Sequence, residues 1–280
     1  MLKKILISSF AGFALLSSAV NAQVNLTAET ASPGGATHLS PAHMTEIAGT
    51  KGIANIQLAD GQTLTNSIQN VAEGKTDIAA TPYILPFLMS RGVGPYGSLG
   101  KEKGAELAGN LRAINPFTLG IFFLYAYDAK NIGGWDDLKG RKIYNDPPRG
   151  GALTNARSMI QIITGLKDGE DYEGLQVNWG QQVTLVTSGE PDAMVLPELF
   201  PGSNLTSSTA AGKMTGWSMP KAVYEGETMQ NYMQSPGSAP FTIELAQLNS
   251  IMGDDWNFVS EDGTFRAFAT CLLYTSDAAD

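Results

Sequence analysis

Apolar and polar positions along the first part of the chain follow two alternating periodicities. Residues 24–30 (VNLTAET) alternate with a period of two, which predicts a strand, and residues 37–48 carry apolar side chains at helical spacing. The same patterns predict a strand over 53–58, a helix over 62–73 and a strand over 77–80. This strand–helix–strand–helix–strand order is typical of an α/β fold with a parallel sheet flanked by helices.

The second half of the chain repeats this element order after a long apolar run. Residues 111–127, interrupted by Pro116, predict two strand segments that cross from one domain into another. The elements predicted next are a strand at 141–145, a helix at 153–165, a strand at 175–178, a helix at 181–187 and a strand at 192–196. The last part is less regular, with helices predicted over 220–233, over 243–252 and from Thr264 onward.

One stretch occurs twice. VAEGKTDIAATPY, residues 71–83, aligns without a gap with VTSGEPDAMVLPE, residues 186–198. The glycines predict left-handed helix caps, and each following strand carries an Asp and ends in a Pro-containing loop. Ligands bind outside the carboxyl ends of strands in open α/β sheets, so two such ends predict a cleft between two domains. Coincidence is the alternative, because the Gly-x-x-Asp spacing is common. The matched residues are Gly74 and Gly189, Asp77 and Asp192, and Pro82 and Pro197.

Neither end of the sequence is expected to belong to the natural mature protein. Residues 1–22 have a basic start, an apolar stretch and a small-x-small site at Val20-Asn21-Ala22, which predicts a secretory signal peptide cleaved before Gln23. The mature protein is then expected to be free in the periplasm. Residues 271–280 (CLLYTSDAAD) match the translation of a transposase sequencing adapter, so the natural protein is expected to continue past Thr270. A genuine short polar tail is the alternative.

Composition narrows the possible functions. The 18 basic and 27 acidic residues give a net charge of −9, which argues against binding to nucleic acid, since phosphate contact needs a basic face. About 250 residues remain between the two ends, enough for two domains. The chain's one cysteine lies in the suspect tail, so it supports no redox inference.

Four features together resemble one family. They are the signal peptide, Gly34-Gly35 after the first strand, EGKTDIA, and WDDLKGRKI followed by a Gly-rich loop and a helix. In this order they resemble the TAXI-type periplasmic solute receptors of TRAP transporters, over residues 24–201. WDDLKGRK alone is shared by many periplasmic binding proteins of the type II fold.

The resemblance implies two lobes, each a sheet flanked by helices, joined by crossing hinge strands. Lobe 1 is then residues 23–117, lobe 2 is residues 118–225, and residues 226–270 return towards lobe 1. Such receptors close over a small solute, usually an organic or amino acid with a carboxylate, and deliver it to TRAP membrane subunits. The chain lacks an early aromatic residue and the Gly-Ser-Gly of many relatives, so ligand identity does not carry over.

Candidate ligand contacts follow from chemistry and from position in the repeat. Glycines and helix starts let backbone N–H groups approach an anion, and Arg binds a carboxylate with two parallel hydrogen bonds. Glu198 is expected either to take an ammonium group or to repel a carboxylate. The candidates are Gly34, Gly35, Thr37, Asn66, Thr81, Pro82, Tyr83, Arg149, Gly150, Gly151, Thr154, Trp179 and Glu198.

Each candidate also has a purely structural interpretation. The glycines serve as turn residues, Asn66 as a helix cap and Trp179 as a core residue. Arg149 is then an exposed loop residue paired with Asp146, and Glu198 a carboxylate at a water-exposed rim. The arrangement of His38 and His43, five apart and without acidic partners, does not fit a metal pair on one helix, and no cofactor is expected.

Three functional classes remain. The first is a non-enzymatic binding protein for TRAP uptake, and the second is an ABC-type or sensor-linked receptor with the same fold. The third is a periplasmic hydrolase, for which the sequence offers no Gly-x-Ser-x-Gly motif and no cysteine nucleophile in the mature chain.

Overall fold

A computed structural model describes residues 23–31, 33, 35–148 and 151–277, and it describes the backbone alone at residue 115 and residues 271–277. The predicted signal peptide therefore lies outside the described residues. No helix in the part of the chain that the structure describes is long and apolar enough to cross a membrane.

The described strands are β1 (Val24–Glu29), β2 (Ala54–Ala59), β3 (Ile78–Pro82), β4 (Leu111–Tyr127), β5 (Lys142–Tyr144), β6 (Glu173–Leu175), β7 (Ala193–Glu198), β8 (Met214–Trp217), β9 (Ser238–Glu244), β10 (Trp256–Val259) and β11 (Thr264–Asp277). The described α-helices are α1 (Ala36–Thr50), α2 (Leu64–Ala72), α3 (Ile84–Arg91), α4 (Gly100–Gly109), α5 (Gly151–Thr164), α6 (Gln182–Ser188), α7 (Ser203–Ser208), α8 (Lys221–Tyr224), α9 (Glu227–Met233) and α10 (Leu245–Met252). The predicted α/β class with sheets flanked by helices is confirmed.

The sheet contains the same strand arrangement twice. Its order is β2-β1-β3-β11-β4-β7-β5-β6. In each half the first strand lies between the second and third and runs parallel to both, as β1 does with β2 and β3, and β5 with β6 and β7. On its other side, the third strand of each half pairs with an antiparallel strand, which is β11 for β3 and β4 for β7. The repeat in the sequence is therefore a repeat of topology.

Strand β4 runs through both halves of the sheet. Its first part pairs with β11, which also pairs with β3, and its last part pairs with β7 and β8. The predicted crossing over residues 111–127 is thus one continuous strand of 17 residues. Its pairing with β11 shifts register between Thr270 and Cys271, which places a bulge near Leu119.

The core lies on both faces of the last part of β4. Phe122, Leu124 and Ala126 belong to one buried cluster, and the alternate residues Phe123 and Tyr125 belong to the other. The ring of Phe122 stacks on that of Phe268 of β11 at 4.8 Å between centroids. A strand buried on both faces reads as a continuous apolar run, which is the pattern of this segment.

Four sequence predictions are corrected at the level of elements. The helix predicted from Thr264 is wrong, because β11 occupies this stretch and residues 265–270 are all buried, which removes any period-two signal. The strand predicted at 175–178 lies earlier, at Glu173–Leu175. The helix predicted over 220–233 is divided into α8 and α9 near Gly226. The helix predicted over 243–252 begins only at Leu245, directly after β9.

Candidate functional site

The repeated Asp residues have the same structural role in both halves. The Asp77 carboxylate accepts a hydrogen bond from the Thr27 backbone N–H at 2.7 Å, and Asp192 accepts one from Lys142 N–H at 3.0 Å. In each case the Asp lies 50 positions after the residue that it binds. Gly74 and Gly189, with φ of 69° and 71°, turn the chain from helix to strand. These four residues thus serve the fold, as left-handed turns and strand clamps.

The register places the ends of the two repeats near each other. Pro82, the last residue of β3, is level with Phe117 of β4 through their common partner Leu272. Glu198, the last residue of β7, is paired directly with Ile121 of β4. β3 runs in the same direction as β4, whereas β7 runs in the opposite direction. The carboxyl ends of β3 and β7 are therefore both directed towards residues 117–121 of β4. The two ends are offset by four residues along β4, about 13 Å, and β11 and β4 lie between β3 and β7 in the sheet.

Gly120 lies within this stretch and allows close approach of β7. A Cβ atom at Gly120 would come within 2.7 Å of the Pro197 Cβ and within 2.8 Å of its carbonyl carbon. Real Cβ atoms are not found at such distances from backbone, so glycine is required at this point of contact.

The candidates from lobe 1 are divided between surface and interior. Tyr83 is 46% exposed, Asn66 is exposed, and Gly35 precedes α1 without a side-chain cap. Thr81 is fully buried and its hydroxyl has no hydrogen-bond partner, whereas the buried Thr37 accepts a hydrogen bond from the Thr30 hydroxyl through its carbonyl.

The candidates from lobe 2 lie around the start of α5 and the end of β7. Gly151 and Thr154 are exposed in the first turn of α5, and Trp179 is half-buried in a 3-10 turn, Trp179–Gln181. Gly34, Arg149 and Gly150 lie outside the described residues. Glu198 is only 4% exposed, so its alternative interpretation as a water-exposed rim carboxylate is wrong.

Glu198 is held by two donors. The Gln182 amide donates to Glu198 Oε1, and the Tyr125 hydroxyl donates to the same oxygen at 3.2 Å. Asn204 in turn donates to the Gln182 carbonyl oxygen at 3.2 Å. Burial raises the pKa of Glu198 to about 7, although both hydrogen bonds act to lower it.

Asp146 is a buried acid that the candidate site did not include. It follows β5 by two residues and is fully buried, and neither of its carboxylate oxygens has a hydrogen-bond partner among the residues that the structure describes. Burial, together with the charge of Glu198, raises its pKa well above the usual value. Its position after the first strand of the second repeat is the one signal for it in the sequence, where its predicted role is that of an ion-pair partner of Arg149. No Lys or Arg among residues 35–148 and 151–270 forms an ion pair with it.

The histidines and the surface depressions lie apart from this region. His38 Nε2 is 3.9 Å from Asp60 and His43 is 3.7 Å from Glu46. Among the described residues no group of three or more His, Cys, Asp or Glu is arranged to hold a metal ion. Two open depressions, one between α2 and α4 and one along β9, contain none of the candidate residues.

Comparisons with known proteins place solute-binding proteins among the structures of similar architecture. Neither a protein-family model nor a curated protein matches the chain. The periplasmic aliphatic sulphonate binding protein SsuA from Escherichia coli aligns over 68% of this chain with 14% identity and a TM-score of 0.44. The chain spans 58% of the length of that protein.

Two TRAP-associated or extracytoplasmic receptors align over more of the chain. A TRAP periplasmic solute binding protein from Chromohalobacter salexigens, with bound (S)-(+)-2-amino-1-propanol, covers 91% of this chain at 8% identity, with 68% of its own length aligned and a TM-score of 0.45. DctP7 from Bordetella pertussis, an extracytoplasmic solute receptor binding pyroglutamic acid, covers 91% at 11% identity, with 71% of its own length aligned and a TM-score of 0.44. Similarity at this level assigns no ligand or partner to the chain.

Proposed function

We propose that the chain is an extracytoplasmic receptor that binds a small carboxylate-bearing solute between its two halves and delivers it to a TRAP-type membrane transporter. The observation that carries the proposal is the convergence of β3 and β7 on residues 117–121 of β4. Ligands of open α/β sheets lie outside the carboxyl ends of strands, and both of these ends are directed towards this stretch.

The helices that follow the first strand of each half supply a reason to expect an anion. α1 begins at Ala36 after β1, and α5 begins at Gly151 after β5. Helix N-termini present free N–H groups and a partial positive charge, which favours a carboxylate. The candidates Arg149, Gly150 and Thr154 are proposed to act at the start of α5, with Arg149 binding the carboxylate.

Thermal unfolding with a panel of small carboxylates tests this function. A solute at about 100 times its Kd stabilises by about 2.7 kcal/mol, so the melting temperature is expected to rise by about 5–10 °C. The corresponding amides and alcohols should produce no rise. If none of the carboxylates shifts the melting temperature at millimolar concentration, the proposed anion site is wrong.

The role of Arg149 needs its own variant. Arg149→Ala is expected to weaken binding of the solute at least tenfold, or by about 1.4 kcal/mol. The matched control is Arg91→Ala, since Arg91 is exposed at the end of α3 with its guanidinium over the Phe87 ring. An Arg149→Ala protein that binds as tightly as the control would refute the assignment.

Gene neighbourhood tests the transporter class. A gene for a large fused membrane subunit is expected beside the gene for this chain. Genes for an ABC permease and ATPase in that place would replace TRAP delivery with ABC delivery.

A further inference from the structure

Asp146 combines three features that are costly for a folded protein. It has a φ of 89°, an uncommon value for a residue other than glycine. It is completely buried, and both carboxylate oxygens lack a partner in the part of the chain that the structure describes. Strained backbone of this kind is energetically unfavourable and is concentrated at ligand sites. A buried polar group without a hydrogen bond adds a further cost.

The fold itself does not require an acid at this position. Asp146 is the second residue after β5, and the residue in the same place after β1 is Ala31. The two halves share their clamping Asp residues but differ here, which separates Asp146 from the residues that serve the scaffold.

The residue before Asp146 is fixed by a network that holds this backbone in place. The Asn145 amide donates to Asp168 at 2.9 Å and accepts from Gln176 at 2.9 Å. Arg157 of α5 pairs with the same Asp168 carboxylate at 2.6 Å. Anchored in this way, Asp146 keeps its conformation in the absence of a partner for its own side chain.

β5 and β7 are neighbouring parallel strands paired at Tyr144 and Met194, so Asp146 follows this pair by two residues at the carboxyl end of one strand and Glu198 follows it by four at the end of the other. The charge of each raises the pKa of Tyr144, and the charge of Glu198 raises that of Asp146. Oε1 of Glu198 is occupied by Gln182 and Tyr125, while Oε2 accepts no hydrogen bond from the described residues. Three acceptors are therefore open in the sense that no described residue donates a hydrogen bond to them, namely the two buried oxygens of Asp146 and Oε2 of Glu198.

We propose that Asp146 and Glu198 form a subsite for the ammonium group of the bound solute, which is therefore an amino acid or another carboxylate with an amino group. An ammonium has three N–H donors, which equals the number of open acceptors. Its positive charge also compensates the two carboxylates that burial otherwise leaves without a counter-ion. The inference rests on the proposed function, because it assumes that the solute binds where the two strand ends converge.

Isothermal titration calorimetry of the full chain with matched pairs of ligands tests the subsite. Each pair differs by the amino group alone or by its replacement, as in L-glutamate with glutarate or 2-oxoglutarate, and L-leucine with 4-methylpentanoate. For the pair that binds, the amine-bearing member is expected to bind at least tenfold more tightly. Asp146→Asn and Glu198→Gln should each reduce this preference at least tenfold, while Glu190→Gln, at an exposed acid before β7, should not change it.

Proton release gives a second measurement that a purely structural role would not affect. At pH 6 the Glu198 carboxyl, whose pKa burial raises to about 7, is expected to be mostly protonated, and burial raises the pKa of Asp146 in the same direction, so the ammonium should displace protons on binding. Among the described residues, the titratable groups that interact with this pair are Tyr125 and Tyr144, and burial raises the pKa of both above the usual tyrosine value, far from this pH. The number of protons is obtained from titrations in buffers of different ionisation enthalpy, and Asp146→Asn should release fewer.

The outcomes separate the subsite from the proposed function. Equal or tighter binding of the amine-free member would overturn the ammonium subsite and leave the carboxylate receptor intact. Failure of every carboxylate to bind would overturn both. Stabilisation of the wild type, but not of Asp146→Asn, by sodium, potassium or calcium chloride in the absence of solute would assign the subsite to an inorganic cation and overturn the inference.

Discussion

The buried carboxyl of Glu198 should make stability depend on pH in a direction opposite to that of a paired surface acid. Burial raises its pKa from 4.5 to about 7 in the folded chain. Between these values the folded state binds more protons than the unfolded state, so stability falls as pH rises through this window. A shift of about 2.5 pKa units corresponds to about 3 kcal/mol, which is lost between pH 4.5 and pH 7 and remains absent above it.

Glu198→Gln removes this dependence while preserving the local hydrogen bonds. A glutamine keeps an acceptor oxygen for Gln182 and Tyr125 and is neutral at every pH. The variant is expected to be more stable than wild type by about 3 kcal/mol at pH 8, and about equal to it at pH 4.5. For a chain of this size the difference at pH 8 corresponds to about 6–12 °C in melting temperature.

Urea unfolding followed by circular dichroism at several pH values measures the effect. Glu190→Gln, at an exposed position, should keep the wild-type profile. Tyr125→Phe removes a donor that lowers the pKa of Glu198, so the loss of stability should extend to higher pH. Parallel pH profiles for wild type and Glu198→Gln would refute the assignment of a raised pKa to this carboxyl.

Two further predictions concern the scaffold and are tested by the same unfolding measurement. Gly120→Ala should destabilise by about 1–3 kcal/mol because its Cβ would collide with Pro197, whereas Gly109→Ala, which meets nothing within 4 Å, should have little effect; equal stability of the two variants would contradict the close approach. Asp77→Ala and Asp192→Ala should each cost about 1–3 kcal/mol, because each removes a charge-assisted hydrogen bond to a neighbouring strand, and a loss at only one of them would contradict the shared role.

Much of the fold could be predicted because its local signals were strong. Alternation in residues 24–30 and 53–58, and the Gly-x-x-Asp spacing of both repeats, correspond to β1, β2 and the entries to β3 and β7. The error at β11 has a physical cause. Residues 265–270 are buried on both faces, so their sequence carries no period that distinguishes a strand from a helix.

The site was less predictable, because burial depends on contacts between distant segments. The position of Glu198 in the repeat predicted it as a candidate. Its hydrogen bonds to Gln182 and Tyr125, in place of water, depend on the packing of α6 and β4 against β7. Asp146 gave no stronger local signal than any acid before two prolines. Its significance depends on its φ, on its burial and on the lack of a hydrogen-bond partner among the described residues, none of which is a property of the local sequence.

The sequence by itself determined the α/β class, the duplicated strand ends and the acidic composition, because these follow from short-range periodicity and from residue type. The tertiary structure alone decided where β3 and β7 end relative to β4 and that Asp146 and Glu198, at the carboxyl ends of the paired strands β5 and β7, are both buried. Register between strands far apart in the chain, and the loss of solvent that raises a carboxyl pKa, arise only when the whole sheet is assembled.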